Sequence, residues 1–195
     1  VIGVGAARGL RLPTLSCDAF APTASSASLQ RVLGNPETAA DSLPLGETEG
    51  DMLPATIFFP HDPLRRIAIV WRDTIAKRTP RYVWLSHGAS AWRTRQGISV
   101  GTSLRTLERL NGRPFRLAGF AFDGSGSVTS WEGGRLATLS TGTCWFGMRI
   151  DSLGPLSPAE RRSYQQVIGD RIFSSGHPAM QSLNPRVSLI VLEYQ

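Results

Sequence analysis

The chain reads as an α+β domain, mainly antiparallel sheet with a few helices packed on one face. Three observations lead there. Apolar runs of strand length, such as residues 67–71 and 188–192, recur along 195 residues of which 41% are hydrophobic. Turn-forming residues separate many of these runs at hairpin spacing. Helical spacing is confined to short stretches that begin on a capping residue. The length suits one domain spanning 1–195.

The elements follow in order. Residues 1–4 suit a short strand among Gly3, Gly5 and Gly9, and 10–17 an extended segment. A turn at 22–28 leads into a helix capped by Ser25 or Ser26, with Leu29, Val32 and Leu33 as its apolar stripe. Gly34-Asn35-Pro36 stops it. Residues 37–51 read as an acidic loop carrying Asp41, Glu47, Glu49 and Asp51. Residues 55–59 and 66–71 form a hairpin around Pro60-His61-Asp62-Pro63, with Ile67, Ile69 and Trp71 on the apolar face of a half-buried strand. A strand at 82–85 and a loop at 94–100 precede a helix capped by Thr102 or Ser103, with Leu104, Leu107 and Leu110 at helical spacing. Asn111-Gly112 ends it.

Strands are expected at 115–122 and 128–131 around the turn 123–126, then at 136–139 after Glu132-Gly133-Gly134. Residues 144–150 alternate as a strand. Ser157, Pro158 and Glu160 form a capping box with proline at the first helical position, opening a helix to about residue 168. A short helix after Pro178 and a strong strand at 187–193 complete the chain.

Two stretches are alike. Residues 28–71 and 103–131 each run from a short capped helix, through Gly and Pro, to a strand ending in Phe, an Asp turn and a strand ending in Trp. An internal duplication would merge two hairpins into one sheet, closed by the helix and strand at 157–195. The alternative is chance recurrence of common helix-turn-hairpin grammar.

The segment from Gly97 to Phe115, G-I-S-V-G-T-S-L-R-T-L-E-R-L-N-G-R-P-F, resembles the helix-opening motif of the small lipoproteins of the outer-membrane β-barrel assembly machinery. The tandem units are similar to those of β-lactamase inhibitory protein, and the remainder looks like exported bacterial proteins of no assigned role. The resemblance covers about half the chain and implies an envelope location and a protein-binding role. It carries over no inhibitory residue. Thr14-Leu15-Ser16-Cys17 departs from a lipid-attachment motif, since Thr14 stands where Leu belongs.

Net charge is +6, and Lys77 is the one lysine among 21 basic residues. The arginines are scattered, without the dense basic stripe and interleaved aromatics of a nucleic-acid binder, so nucleic acid is not the expected partner. Association with a membrane or cell-wall surface stays open. No run approaches a membrane span. Val1 and the Ala/Ser/Pro/Thr-rich stretch at 20–28 suit a chain whose signal peptide has been removed, a cut boundary being the alternative. Cys17 and Cys144 read as a disulfide in a periplasmic or secreted protein, or as two unrelated buried thiols.

No catalytic constellation stands out. His61, His87 and His177 lack metal-ligand spacing and read as exposed or capping residues. No nucleophile elbow is present, Gly3-x-Gly5 lacks the context of a dinucleotide fingerprint, and Asp123 with Glu132 suits turns better than a glycosidase pair. No metal or cofactor is implied. The candidate binding residues are Trp92, Arg93 and Arg95 in one basic loop, with His61 and Asp123 in hairpin turns. Trp92 is read either as an exposed interface anchor or as a ring folded back onto the sheet. The function expected is a non-catalytic protein-binding role in the bacterial envelope, of inhibitor, immunity or assembly-accessory type. The alternatives are a cell-wall or polysaccharide-acting enzyme and a polyanion or lipid-surface binder.

Overall fold

The structure is a computed structural model, and it describes residues 12–44, 51–86, 90–122, 124–152 and 154–195. The strand expected at 1–4, together with His87 and Asp123, lies outside these residues. The fold is α+β. Nine strands and four α-helices appear among the described residues: β1 (Thr38–Leu43), β2 (Leu53–Phe58), β3 (Ile67–Asp73), β4 (Arg78–Leu85), β5 (Arg116–Ala118), β6 (Val128–Ser130), β7 (Cys144–Asp151), β8 (Ile172–Ser174) and β9 (Arg186–Tyr194), with α1 (Ser26–Val32), α2 (Leu104–Asn111), α3 (Pro158–Gln165) and α4 (Pro178–Leu183). Six strands form a sheet in the order β1-β2-β3-β4-β9-β7, and three form a second in the order β6-β5-β8. Every pairing between neighbouring strands is antiparallel.

Register assigns the two faces of the large sheet. Phe58, Ile67, Ile69, Val83, Leu85, Ile190, Leu192, Phe146 and Met148 share the inner face and join one continuous core. That core includes Leu29 of α1, Leu104 and Leu107 of α2, and Met180 of α4. Trp71 also joins it, and its indole N–H donates to the buried Thr56 hydroxyl at 3.0 Å. The opposite face of β3 is not open, contrary to the half-buried reading. Ala68 and Val70 are buried as well, each opposite an aromatic of β4, Trp84 and Tyr82. Small beside large keeps the apolar surface covered.

The helix starts follow the sequence closely, while α3 stops at Gln165, short of the expected residue 168. Ser25 caps α1 with Ser28 answering in a capping box, Ser103 caps α2, and Ser157 and Glu160 form the box that opens α3. Val32 does not belong to the apolar stripe of α1. It is two-thirds exposed, while Leu29 and Leu33 are buried, because Leu29 and Leu33 repeat at four residues and Val32 turns away from both.

Other expectations are corrected. The acidic loop contains β1, which pairs along β2 from Thr38↔Phe58 to Leu43↔Leu53. The strand expected at 115–122 ends at Ala118, since the next two amides donate elsewhere, Gly119 to Arg171 O and Phe120 to Val167 O. The residues expected as a strand at 136–139 lie in a 3-10 helix over Arg135–Leu139, anchored by the Leu136 amide donating to Asn111 Oδ1. The two similar hairpins do not merge. β2–β3 lies in the large sheet and β5–β6 in the small one, so the single-sheet arrangement expected of a duplication is not formed. The small sheet is completed by β8, which the sequence reading missed. Gly126 joins the small sheet to β7: it sits at φ +66°, and a Cβ there would strike the Ile150 carbonyl that its own backbone faces.

Cys17 and Cys144 are joined by a disulfide across 127 residues. It fixes a 3-10 turn at Cys17–Phe20 onto β7. The Tyr194 hydroxyl donates to Cys17 O at 2.8 Å on the same spot. Burial first, then the nearby Asp18 carboxylate, pushes the phenol well above its ordinary range. No described helix is long and apolar enough to cross a membrane.

Two outcomes are expected. Replacing both cysteines by alanine releases a loop of 127 residues and lowers unfolding free energy by about 5 kcal/mol on the loop-entropy model. Urea denaturation with and without reductant measures it. Asn111→Ala removes three bonds from a side chain buried to 1%, which donates to Arg113 O and Trp131 O and accepts from the Leu136 amide. Its cost is about 3 kcal/mol in the same assay.

Candidate functional site

The basic loop at 90–95 is extended, so successive side chains point to opposite sides. Trp92 and Thr94 are buried while Arg93 and Arg95 are exposed. Trp92 has no exposed surface at all. Its ring packs beside Phe20 at 5.8 Å between centroids, and its indole N–H donates to Arg65 O at 2.8 Å. Trp92 is therefore a core residue under the β2–β3 turn, and the exposed-anchor reading is overturned. The flanking arginines signalled a polar loop, and extended geometry separated them from the indole.

The remaining candidates scatter. His61 sits exposed in the β2–β3 turn, with Nε2 3.6 Å from Glu37 Oε1. Asp62 beside it accepts from Arg65 Nε at 2.6 Å, and that hydrogen bond holds the Asp62 carboxyl below its ordinary range. Arg95 makes no side-chain bond among the described residues. Arg93 lines an open cleft at the start of α2 with Arg109 and Arg186. The structure thus puts Trp92 and the His61 turn close together but gathers no site from them.

Ser175 and Glu108 form a polar pair, with His177 two residues further on, that looks at first like part of a catalytic site. Ser175 Oγ donates to Glu108 Oε2 at 2.6 Å and accepts from the Phe115 amide at 2.9 Å. His177 Nδ1 accepts from the Ala179 amide and so caps α4. Ser175 has no exposed surface. The Ser175 bonds tie α2 to the segments before β5 and after β8, and the serine hydroxyl cannot reach a substrate. Among the described residues no group of three or more His, Cys, Asp or Glu side chains could hold a metal ion.

The outer face of the large sheet offers a different surface. Trp145 of β7 is 48% exposed. Its indole covers Gly147, where an added Cβ would strike the ring. Trp145 and Gly147 stand opposite Glu193 and Val191 of β9, which stand in turn opposite Tyr82 and Trp84 of β4. A groove of about 520 Å³ runs across these three strands. The Tyr82 hydroxyl donates to Glu193 Oε1 at 3.3 Å, which fixes the ring at the groove wall. Trp145 was legible in principle. It alternates with the buried Cys144 and Phe146, so the pattern already sends it to the opposite face.

Comparison with protein-family models, curated proteins and solved structures finds no match.

The two tryptophans should part company on substitution. Trp92→Phe leaves Arg65 O unpaired in the interior and is expected to cost about 2 kcal/mol. Trp145→Phe is expected to change stability by no more than about 0.5 kcal/mol while removing most of the acrylamide-quenchable fluorescence. Thermal melts and quenching titrations on both variants check this.

Proposed function

We propose that the chain is an exported, non-catalytic protein-binding protein of the bacterial envelope, and that it takes its partner on the outer face of the large sheet. The observation that carries this reading is the half-exposed Trp145, set in a groove with Trp84, Tyr82 and Arg149. Trp, Tyr and Arg are among the residues enriched where proteins meet. Here they stand on a rigid sheet, so little side-chain freedom is lost on docking. Arg149 and Glu193 put both signs of charge at the groove, which suits a polar rim around an apolar anchor.

The Cys17–Cys144 bond supports an oxidising compartment, because disulfides persist where the surroundings are oxidising. A periplasmic or secreted location is the form of this that fits the envelope resemblance of residues 97–115. The occupant of the groove is then a folded protein presenting an apolar side chain between Trp145 and Trp84. An enzymatic reading has less support. His61 and His177 line neither the groove nor the cleft at α2, and Ser175, which Glu108 holds, is sealed from solvent.

The test uses the full chain, immobilised with its disulfide intact, against envelope extract. One stoichiometric protein should be retained, and the purified pair should bind reversibly. Trp145→Ala should weaken that binding by about 30-fold or more, as truncation of a central aromatic anchor does, with no change in melting temperature. Retention that survives Trp145→Ala and Tyr82→Ala overturns the groove as the site. So does a groove occupied by a second copy of the chain in solution. Release of soluble sugar or peptide from cell-wall polymer overturns the non-catalytic reading.

A further inference from the structure

Among the described residues, carboxylates lie beside Arg65, Arg66 and Arg116. Arg93, Arg109 and Arg186 have no such partner among the described residues, and all three line one open cleft of about 760 Å³ that no described Asp or Glu lines. They come from different parts of the chain: the loop before α2, the last turn of α2, and the first residue of β9. Like charges held around one cavity repel one another. An anion entering that cavity relieves the repulsion and gains charge-assisted hydrogen bonds.

Two of the three guanidiniums are already oriented. Arg186 Nη1 donates to Gly101 O at 3.0 Å, and Arg93 Nη1 donates to Ser99 Oγ at 3.4 Å. Each bond uses one of five N–H donors and leaves the others for a ligand. Two hydroxyls face the same cleft with their own protons unspent: Thr102 Oγ1 accepts from the Ser99 amide, and Thr106 Oγ1 accepts from Ser103 Oγ. The first amides of α2 are engaged elsewhere. Leu104 N donates to Pro185 O, Arg105 N to Asn184 Oδ1 and Thr106 N to Ser103 Oγ. The donors on offer are therefore side chains, and the helix end is not the site.

We infer that this cleft binds a phosphoryl group carried on a small polar body. A phosphate monoester carries a charge of about −1.5 to −2 near neutral pH and presents three strong acceptor oxygens. That matches three guanidinium forks better than a single carboxylate does. The cleft is far larger than phosphate alone, and its hydroxyl- and glycine-rich wall suits an attached glycerol or sugar. A soluble phosphate ester and a phospholipid headgroup share this chemistry. The cleft shares no residue with the aromatic groove, so it does not rest on the protein-binding reading.

The experiment titrates the isotope-labelled full chain with pyrophosphate and with glycerol phosphate at constant ionic strength, beside citrate and chloride. A parallel arm sediments the chain with phosphatidylcholine vesicles that do or do not contain phosphatidic acid. Saturable shifts are expected at Gly97, Gly101 and Thr102. Arg93→Gln and Arg109→Gln should each weaken the phosphate probes about tenfold, the scale of one lost charge-assisted contact. Arg161→Gln removes the same charge from the exposed face of α3 and should leave affinity unchanged. Equal melting temperatures show that the variants remain folded. Sedimentation with phosphatidic acid that glycerol phosphate competes away assigns a headgroup; soluble binding without sedimentation assigns a free ester. The inference fails if no shift saturates, if citrate binds as tightly as pyrophosphate, or if Arg161→Gln weakens binding as much as Arg109→Gln.

Discussion

The insertion of β9 between β4 and β7 is the constraint on which the rest of the molecule depends. β7 pairs with no other strand of the large sheet. Its hydrogen bonds to β9 run from Cys144↔Tyr194 to Asp151↔Arg186. Without that strand the disulfide would tether Cys17 to a segment that has no place in the sheet. The small sheet would lose its anchor as well, because the Ile150 amide reaches Gly126 O from β7. Even the loop before α2 is set by the same strand: Gly101 N donates to Val187 O, and Val187 N donates to Thr102 O. Both surfaces with a proposed role therefore rest on one strand. The aromatic groove crosses its middle, and the arginine cleft begins at its first residue.

The sequence disclosed what is decided locally. Capping residues and turn glycines act over three or four positions, so Ser103, Ser157 and Glu160 marked helix starts where the structure has them. Alternation in 144–150 and the apolar run at 187–193 were equally plain, because a strand with one face on the core needs apolar residues at every inward position, and β9, paired on both sides, is apolar along most of its length. β1 was not legible. Thr-Ala-Ala-Asp-Ser-Leu has no β-branched run, and its strand conformation comes from the edge of β2 that it completes. β8 was missed for another reason: Ile172-Phe173-Ser174 is too short to show a period.

The candidate site was less legible than the fold, and the reasons are geometric. Trp92 was judged by its neighbours in sequence, yet in extended backbone those neighbours face the other way. Cys17 and Cys144 left their pairing open, since 127 residues of separation say nothing about distance in space. Arg109 and Arg186 had no reason to be read together with Arg93 until Ser103 and Arg186 paired across their short bridge. The similar helix-hairpin stretches were real patterns, but pattern alone does not say which sheet a hairpin will join.

The position of β9 also governs when the molecule can exist. Tyr82 and Glu193 face each other across the sheet at a separation of 111 residues. No portion of the chain that lacks residues 186–194 can complete the six-stranded sheet, however much of it has been synthesised. Such distant pairing is slow to find, and until it is found β7 and β4 present open edges to other chains. Until residues 186–194 are in place, β7 has no strand of the large sheet to pair with, and the segment that carries Cys144 is not held where Cys17 can meet it. Completing the sheet therefore positions the disulfide as well.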